Sequence, residues 1–314
     1  MAMLAGMKLD VFTPLKDGPL TSTEIAGTIG VNSAKLTPLL YALVAADLLT
    51  VQGDLFSNTP EADTYLVKGR PTYMAGSRQL FYADIWQALL KTADSIRAGV
   101  PQHKHSFYDM SEYEMVTFFR GQHFNAVAAG EQLARVVDLS GLRHMLDVGT
   151  GSGGVPIGVA RSGADLRITA VDLPKVIPVT RRFLEEEGAA SHVATLVGDV
   201  IAGAPEGTYD VAVLRNLIQV LSLIDAQTVV RHVAQSLAPN GTILIIGSMM
   251  EDSRLAPANF VGNNLVFLNI YDDGLIYTEG EYRELLVAAG FTDIVVRRGE
   301  MPGSQVLISA RKQT

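Results

Sequence analysis

At 314 residues, 48% of them hydrophobic and 18% charged, the chain is long enough for two domains and too apolar for extended disorder. A net charge of −8 speaks against a nucleic-acid partner, which would need a clustered basic face. No apolar run reaches the roughly 18 residues of a membrane span, and no basic-then-hydrophobic leader opens the chain. The absence of cysteine excludes disulfides and thiolate metal sites, and fits a cytoplasmic protein with no membrane partner.

Residues 1–72 read as one unit. MAMLAGMKLDVF looks like a helix already under way at the first residue. In GPLTSTEIAGTIG, Thr21 or Ser22 starts a helix ahead of Glu24, and Gly30 stops it. NSAKLTPLLYALVAADLL continues with helical apolar spacing, and two short β runs flank the Gly53-Asp54 turn. Helix, helix, hairpin is a winged-helix outline, which serves DNA binding or dimerisation. Over residues 1–68, four lysines face seven acids, so charge points to dimerisation.

Residues 73–140 carry aromatic and Met residues in FYADIWQALL and FYDMSEYEMVTFFRGQHFNAVAAGEQLARVV. Gly99, Pro101 and the polar HKHS run interrupt them, which predicts a jointed helical connector or lid. From 141 to 314 the pattern alternates. HMLDV, LRITAVD, VATLVGD, YDVAVLR and TILIIGS are short apolar runs separated by helix-length segments, as in a parallel sheet with helices on both faces. TEGEYRELLVAAGF adds an amphipathic helix, and DIVVRRGE and SQVLISARK are able to close the sheet as a hairpin.

LDVGTGSGG (146–154) ends the first strand of that sheet. Its glycines allow backbone to approach a ligand where such folds bind nucleosides. A glycine loop alone is weak evidence. Asp147 at its leading edge, Asp172 ending the second strand and Asp199 after the third strengthen it. Each Asp taken singly is equally well a cap or turn residue.

Together LDVGTGSGG, AVDLPKVI, VGDV and YTEGEYRELLVAAGF resemble the S-adenosylmethionine-dependent O-methyltransferases of the plant caffeate type and their bacterial relatives. The resemblance implies an α/β chain. A class I methyltransferase domain (Rossmann-like, doubly wound sheet) would follow a winged-helix-like dimerisation domain and a helical connector, with a homodimer as the assembly. It implies S-adenosylmethionine as cofactor, with Gly149 at its methionine part, Asp172 at the ribose, and Asp199 with Val200 at the adenine. Asp147, Gly151, Leu173 and Arg215, the last standing where the family commonly has Lys, complete the expected cofactor contacts.

The same resemblance exposes a loss. Gln219 occupies the position of the family's proton-accepting His, Leu221 that of a Trp, and Gly247 and Ile276 those of two Glu residues. A Gln amide neither gains nor loses a proton near neutrality, whereas a positioned base contributes about 10²–10⁴-fold. A thiol or an electron-rich carbon does not need that base, so methyl transfer to sulfur or carbon is the favoured reading. O-methylation through substrate ionisation, or through His123 on the lid as a replacement base, is the alternative. A non-methylating enzyme that retains the cofactor is the second. Met115, Phe119, Arg120, Asn216, Asn264, Phe267 and Tyr271 are the expected pocket residues, with Arg120 a partner for a substrate carboxylate. No metal is expected from His103, His105 or His123, and His144 and His232 carry no predicted chemistry.

Overall fold

The computed structural model describes residues 1–70 and 72–313; side chains 75–81, including Phe81 of the aromatic stripe, lie outside the described residues. Contacts divide the chain into 1–86 and 87–314. The division falls within the helix that spans residues 75–90.

The first unit begins with α1 (Ala2–Leu9), β1 (Leu20–Thr21), α2 (Ser22–Ile29) and α3 (Ser33–Ala45). It continues through β2 (Leu49–Gln52), β3 (Leu55–Asn58), α4 (Pro60–Leu66) and α5 (Ala75–Leu90), the helix that crosses the division. Thr21 caps α2 through a reciprocal box with Glu24, and Gly30 ends it in the left-handed region at φ 71°. Gly53 takes φ 64° between β2 and β3, which pair antiparallel, and β1 joins on the far side of β3. Phe12, Ile25, Leu40, Leu43, Leu49 and Phe56 fill the centre.

The second unit runs α6 (Thr92–Ala98), α7 (Glu112–Val136), β4 (His144–Val148), α8 (Gly154–Arg161), β5 (Arg167–Asp172) and α9 (Ile177–Glu186). It continues β6 (Val193–Val197), β7 (Tyr209–Arg215), α10 (Leu223–Ser236), β8 (Leu237–Gly247), α11 (Ala258–Ile270), α12 (Glu279–Ala288), β9 (Phe291–Arg297) and β10 (Val306–Lys312). The sheet order is β6-β5-β4-β7-β8-β10-β9; β10 is antiparallel to both neighbours, and the five strands from β6 to β8 are parallel. The order reverses at β4, so the ends of β4 and β7 border a topological switch point, where open α/β sheets bind ligands.

Alternation along the strands builds two layers of core. Leu146, Val148, Ala212 and Leu214 pack on one face with Val230 and Val233 of α10 and Leu286 of α12. Met145, Val211 and Val213 pack on the other with Leu133 of α7 and Ile157 of α8. Each such buried side chain contributes about 1.5–3 kcal/mol.

The lid helix α7 starts at a Ser111–Glu114 capping box and is held by backbone-close packing on α8. A methyl group added at Gly130 would lie 2.3 Å from the Val155 carbonyl oxygen, and one at Gly158 would lie 2.3 Å from that of Val127. The two helices therefore touch main chain to main chain, which fixes Phe118, Phe119 and His123 of α7 against the glycine loop that opens α8.

Candidate active site

The glycine loop leaves β4 at Val148. Gly149, Gly151 and Gly153 take φ of 67°, 56° and 69°, a region that costs side-chain-bearing residues strain. Gly149 lies under Leu217 and Gly151 under Phe119, whose ring would stand 2.8 Å from an added methyl at Gly151. Asp172, the last residue of β5, receives the Gly151 N–H on Oδ2 and the Leu173 N–H on Oδ1, each at 2.8 Å. Burial nevertheless pushes its carboxyl up to about 6. Asp147 is 2% exposed and is pushed up to about 7, again by burial. The field of Arg215 opposes that rise; burial lowers the guanidinium to about 10, so it keeps its charge at neutral pH.

These residues fit a nucleoside sulfonium ligand. Both oxygens of Asp172 retain a lone pair for ribose hydroxyls. Arg215 Nε is sealed without a hydrogen-bond partner, which a carboxylate beside the loop would supply. Asp199, just past β6, accepts the Ile201 N–H on Oδ1 and the Tyr108 hydroxyl on Oδ2 at 3.0 Å. Val200 packs into the core, its carbonyl held by His232. Leu173 packs in the cluster that joins α7 to α9.

Tyr108 went unread in the sequence. It sits in an irregular loop with no motif, and only the fold brings it to Asp199. Lys175 anchors it by donating to its carbonyl.

At the other end of the site, Gln219 lies in a 3-10 turn after β7 and is buried. Its Oε1 accepts the Ser248 N–H at 3.1 Å, and its carbonyl accepts the Leu275 N–H at 2.9 Å. An added methyl at Gly247 would stand 3.1 Å from Oε1, so the bare glycine is what lets the amide settle there. Ile276 is fully buried beside Met250 and Phe260. Asn216, at φ 56°, accepts the Gln305 amide on Oδ1 at 2.7 Å.

Contacts run unbroken from this floor to the glycine loop. Gly274 is wedged between the Tyr271 ring and the Gln219 carbonyl. Tyr271 faces Phe267 at 5.7 Å and, edge-on, His105 at 6.5 Å. His105 meets Phe118 edge-on at 5.5 Å, and Phe118 meets Phe119 over Gly151. Leu217, two residues before Gln219, closes the circuit at Gly149. The rim is aromatic, with one fixed amide and one phenol; burial keeps the Tyr271 phenol well above its ordinary pKa.

Four residues expected at the site make other contacts in the structure. His123 is held at both ring nitrogens: Nδ1 is 2.9 Å from Ser152 Oγ and Nε2 is 3.3 Å from Glu187 Oε1. Burial also lowers its pKa, with Glu187 pulling the other way. Arg120 pairs with a protein carboxylate. It is committed to both oxygens of Glu186 at 3.0 and 2.7 Å, and its guanidinium lies over Phe183 at 4.5 Å. Asn264 holds its own scaffold, accepting the Ile276 N–H and donating to Met250 Sδ. Met115, 3% exposed, packs with Val176, Val179 and Phe183. These helix residues were assigned to the pocket by position along the chain, and their rotation about the helix axis turns them to α9 or to the scaffold.

A model of the O-methyltransferase domain matches residues 92–292, and one of the O-methyltransferase dimerisation domain matches residues 1–68. The chain is 28% identical over 317 residues to the tetracenomycin polyketide synthesis 8-O-methyl transferase of Streptomyces glaucescens, covering 99% of this chain and 92% of that one. It is 28% identical to the 8-amino-8-demethylriboflavin N,N-dimethyltransferase of Streptomyces davaonensis, over 93% of this chain and 86% of the relative. Human N-acetylserotonin methyltransferase, solved in complex with S-adenosylmethionine, shares the fold. Its TM-score is 0.83 at 23% identity, with 100% of this chain and 93% of that one covered.

Proposed function

The chain belongs to the O-methyltransferase domain family, and from that premise we propose that it methylates a small aromatic metabolite at an atom that becomes nucleophilic without a protein base. The family depends on S-adenosylmethionine, so the protein is an S-adenosylmethionine-dependent methyltransferase. Bound, that cofactor supplies an electrophilic methyl group on a sulfonium. Asp172 would hold its ribose, Asp199 its adenine, and Gly149 with Arg215 its methionine end. The match of residues 1–68 to a dimerisation domain supports a homodimer. Among the described residues, no helix is long and apolar enough to cross a membrane.

One observation carries the choice of acceptor. The group at the family's base position is a carboxamide pinned to Ser248 N–H, with a glycine and a buried isoleucine at the positions of the two Glu residues. A phenol with pKa about 10 is roughly one-thousandth ionised at pH 7, and nothing at this floor corrects that. Sulfur and electron-rich carbon escape the penalty. So does a neutral arylamine nitrogen, the acceptor type named for the riboflavin relative. An oxygen acceptor fits if it arrives already ionised.

The test is release of S-adenosylhomocysteine from matched thiols, arylamines, enolisable acids and phenols across pH 6–9. Turnover of arylamines with a flat pH profile, or of thiols with a rise that follows the thiol's own pKa of about 8.5, is expected. Phenol turnover that rises through a pKa near 7 would demand a protein base and overturn the reading. No release from any class despite tight cofactor binding would favour chemistry other than methyl transfer.

A further inference from the structure

The Gln219 amide is held in one orientation. Its Oε1 is filled by the Ser248 N–H; a flipped amide would set its NH₂ against that backbone donor and leave two donors facing each other. Nε2 is therefore the end presented to the site. Among the described residues no acceptor meets it, yet it is not one of the sealed side-chain atoms. Leu217 of the same turn packs on Gly149, so the turn that carries the amide borders the glycine loop. Tyr271, whose side chain packs across Gly274 from the Gln219 carbonyl, carries a further hydroxyl donor, and burial keeps it protonated. This stretch of wall thus carries an amide donor and a hydroxyl donor, beside the rings of His105 and Phe118.

We propose that the acceptor is an aromatic ring system bearing a carbonyl-type oxygen next to the methylated atom, and that Gln219 Nε2–H receives that oxygen, with Tyr271 as a supporting donor. This deepens the base-free methyltransferase reading and rests on it. It also gives Gln219 a positive role. A His acting as a base at this position would present a lone pair and have no hydrogen for that oxygen, and a side chain at position 247 would crowd the amide, which lies 3.1 Å from a methyl built at Gly247. A hydrogen bond of this kind is worth about tenfold in affinity.

The experiment is a binding titration of the S-adenosylhomocysteine-loaded protein with 2′-aminoacetophenone and 2-ethylaniline, which differ by one carbonyl beside the same amine. Methylation of both is followed in parallel with S-adenosylmethionine. Wild type should bind the carbonyl compound about tenfold more tightly. Gln219→Leu should lose that preference while keeping its affinity for S-adenosylhomocysteine. Should Gln219→Leu fail to fold, Tyr271→Phe carries the test, with a fall of about threefold in the same preference. Equal binding of the pair by wild type, or a preference that survives in a folded Gln219→Leu, would overturn the proposal. The two readings separate cleanly: a binding preference without amine methylation keeps this recognition and removes arylamine nitrogen from the acceptors, and equal methylation of both amines does the reverse.

Discussion

Two ends of one sheet handle polarity in opposite ways. At β4 and β5, Asp147 and Asp172 are buried as carboxyls with pKa values pushed up to about 7 and about 6, close enough to neutrality to respond to a ligand. At β7 and β8, the site is lined with Gln219, Asn216 and Gln305, amides whose visible contacts are with backbone or with each other. The cofactor end therefore carries the electrostatics and the acceptor end carries shape and orientation. In such a site, catalysis at the acceptor end comes chiefly from alignment. Buried charge is tolerated at one end because the main chain of the glycine loop and Arg215 answer it. No such answer is built at the other.

The contrast is broken most sharply at Asp172. Asp172→Ala strands the Gly151 and Leu173 N–H groups and removes the ribose acceptor, so affinity for S-adenosylmethionine should fall at least about 100-fold by calorimetry. Near-wild-type binding by that variant would place the nucleoside elsewhere.

Acidity makes a graded version of the same test. Hydroxyls donate to the ionised carboxylate, so cofactor affinity should fall toward tenfold per pH unit once pH drops below about 6. Stability of the ligand-free protein runs the other way. The folded pKa of Asp172 is raised above its unfolded value, so its contribution is full below about 4 and is lost as pH rises through about 6. Chemical denaturation of Asp172→Asn between pH 4 and 7 should show that slope removed.

The smallest effect is expected at His123. Its contacts with Ser152 and Glu187 brace the glycine loop and α9 and occupy both ring nitrogens. His123→Ala should raise the KM for S-adenosylmethionine by roughly three- to tenfold. At saturating cofactor, kcat and its pH profile should stay put. A lost pH dependence would return His123 to the role of base.

Much of this was legible along the chain because the signals are local. The Thr21–Glu24 box, the Gly30 stop, the Gly53 turn, the short apolar strand runs and the glycine loop each act within a few residues, and each has its expected structure. The ends of β5 and β6 put Asp172 and Asp199 where strand ends were read.

The sequence by itself determined a doubly wound sheet, the order of its pieces, and the absence of a proton acceptor at position 219. Tertiary structure alone decided what each long side chain does. Met115, Arg120, His123 and Asn264 make their contacts with α9, the glycine loop and the Met250–Ile276 scaffold because the rotation of α7 and α11 is set by backbone-close packing at Gly130 and Gly158 and by Asn269 hydrogen-bonded to Ser95, not by spacing. Tyr108 reaches Asp199, and Gln219 presents its nitrogen rather than its oxygen, through partners 91 and 29 residues away in the chain. Contacts across such separations are formed by the fold as a whole, and no local pattern of residue types records them.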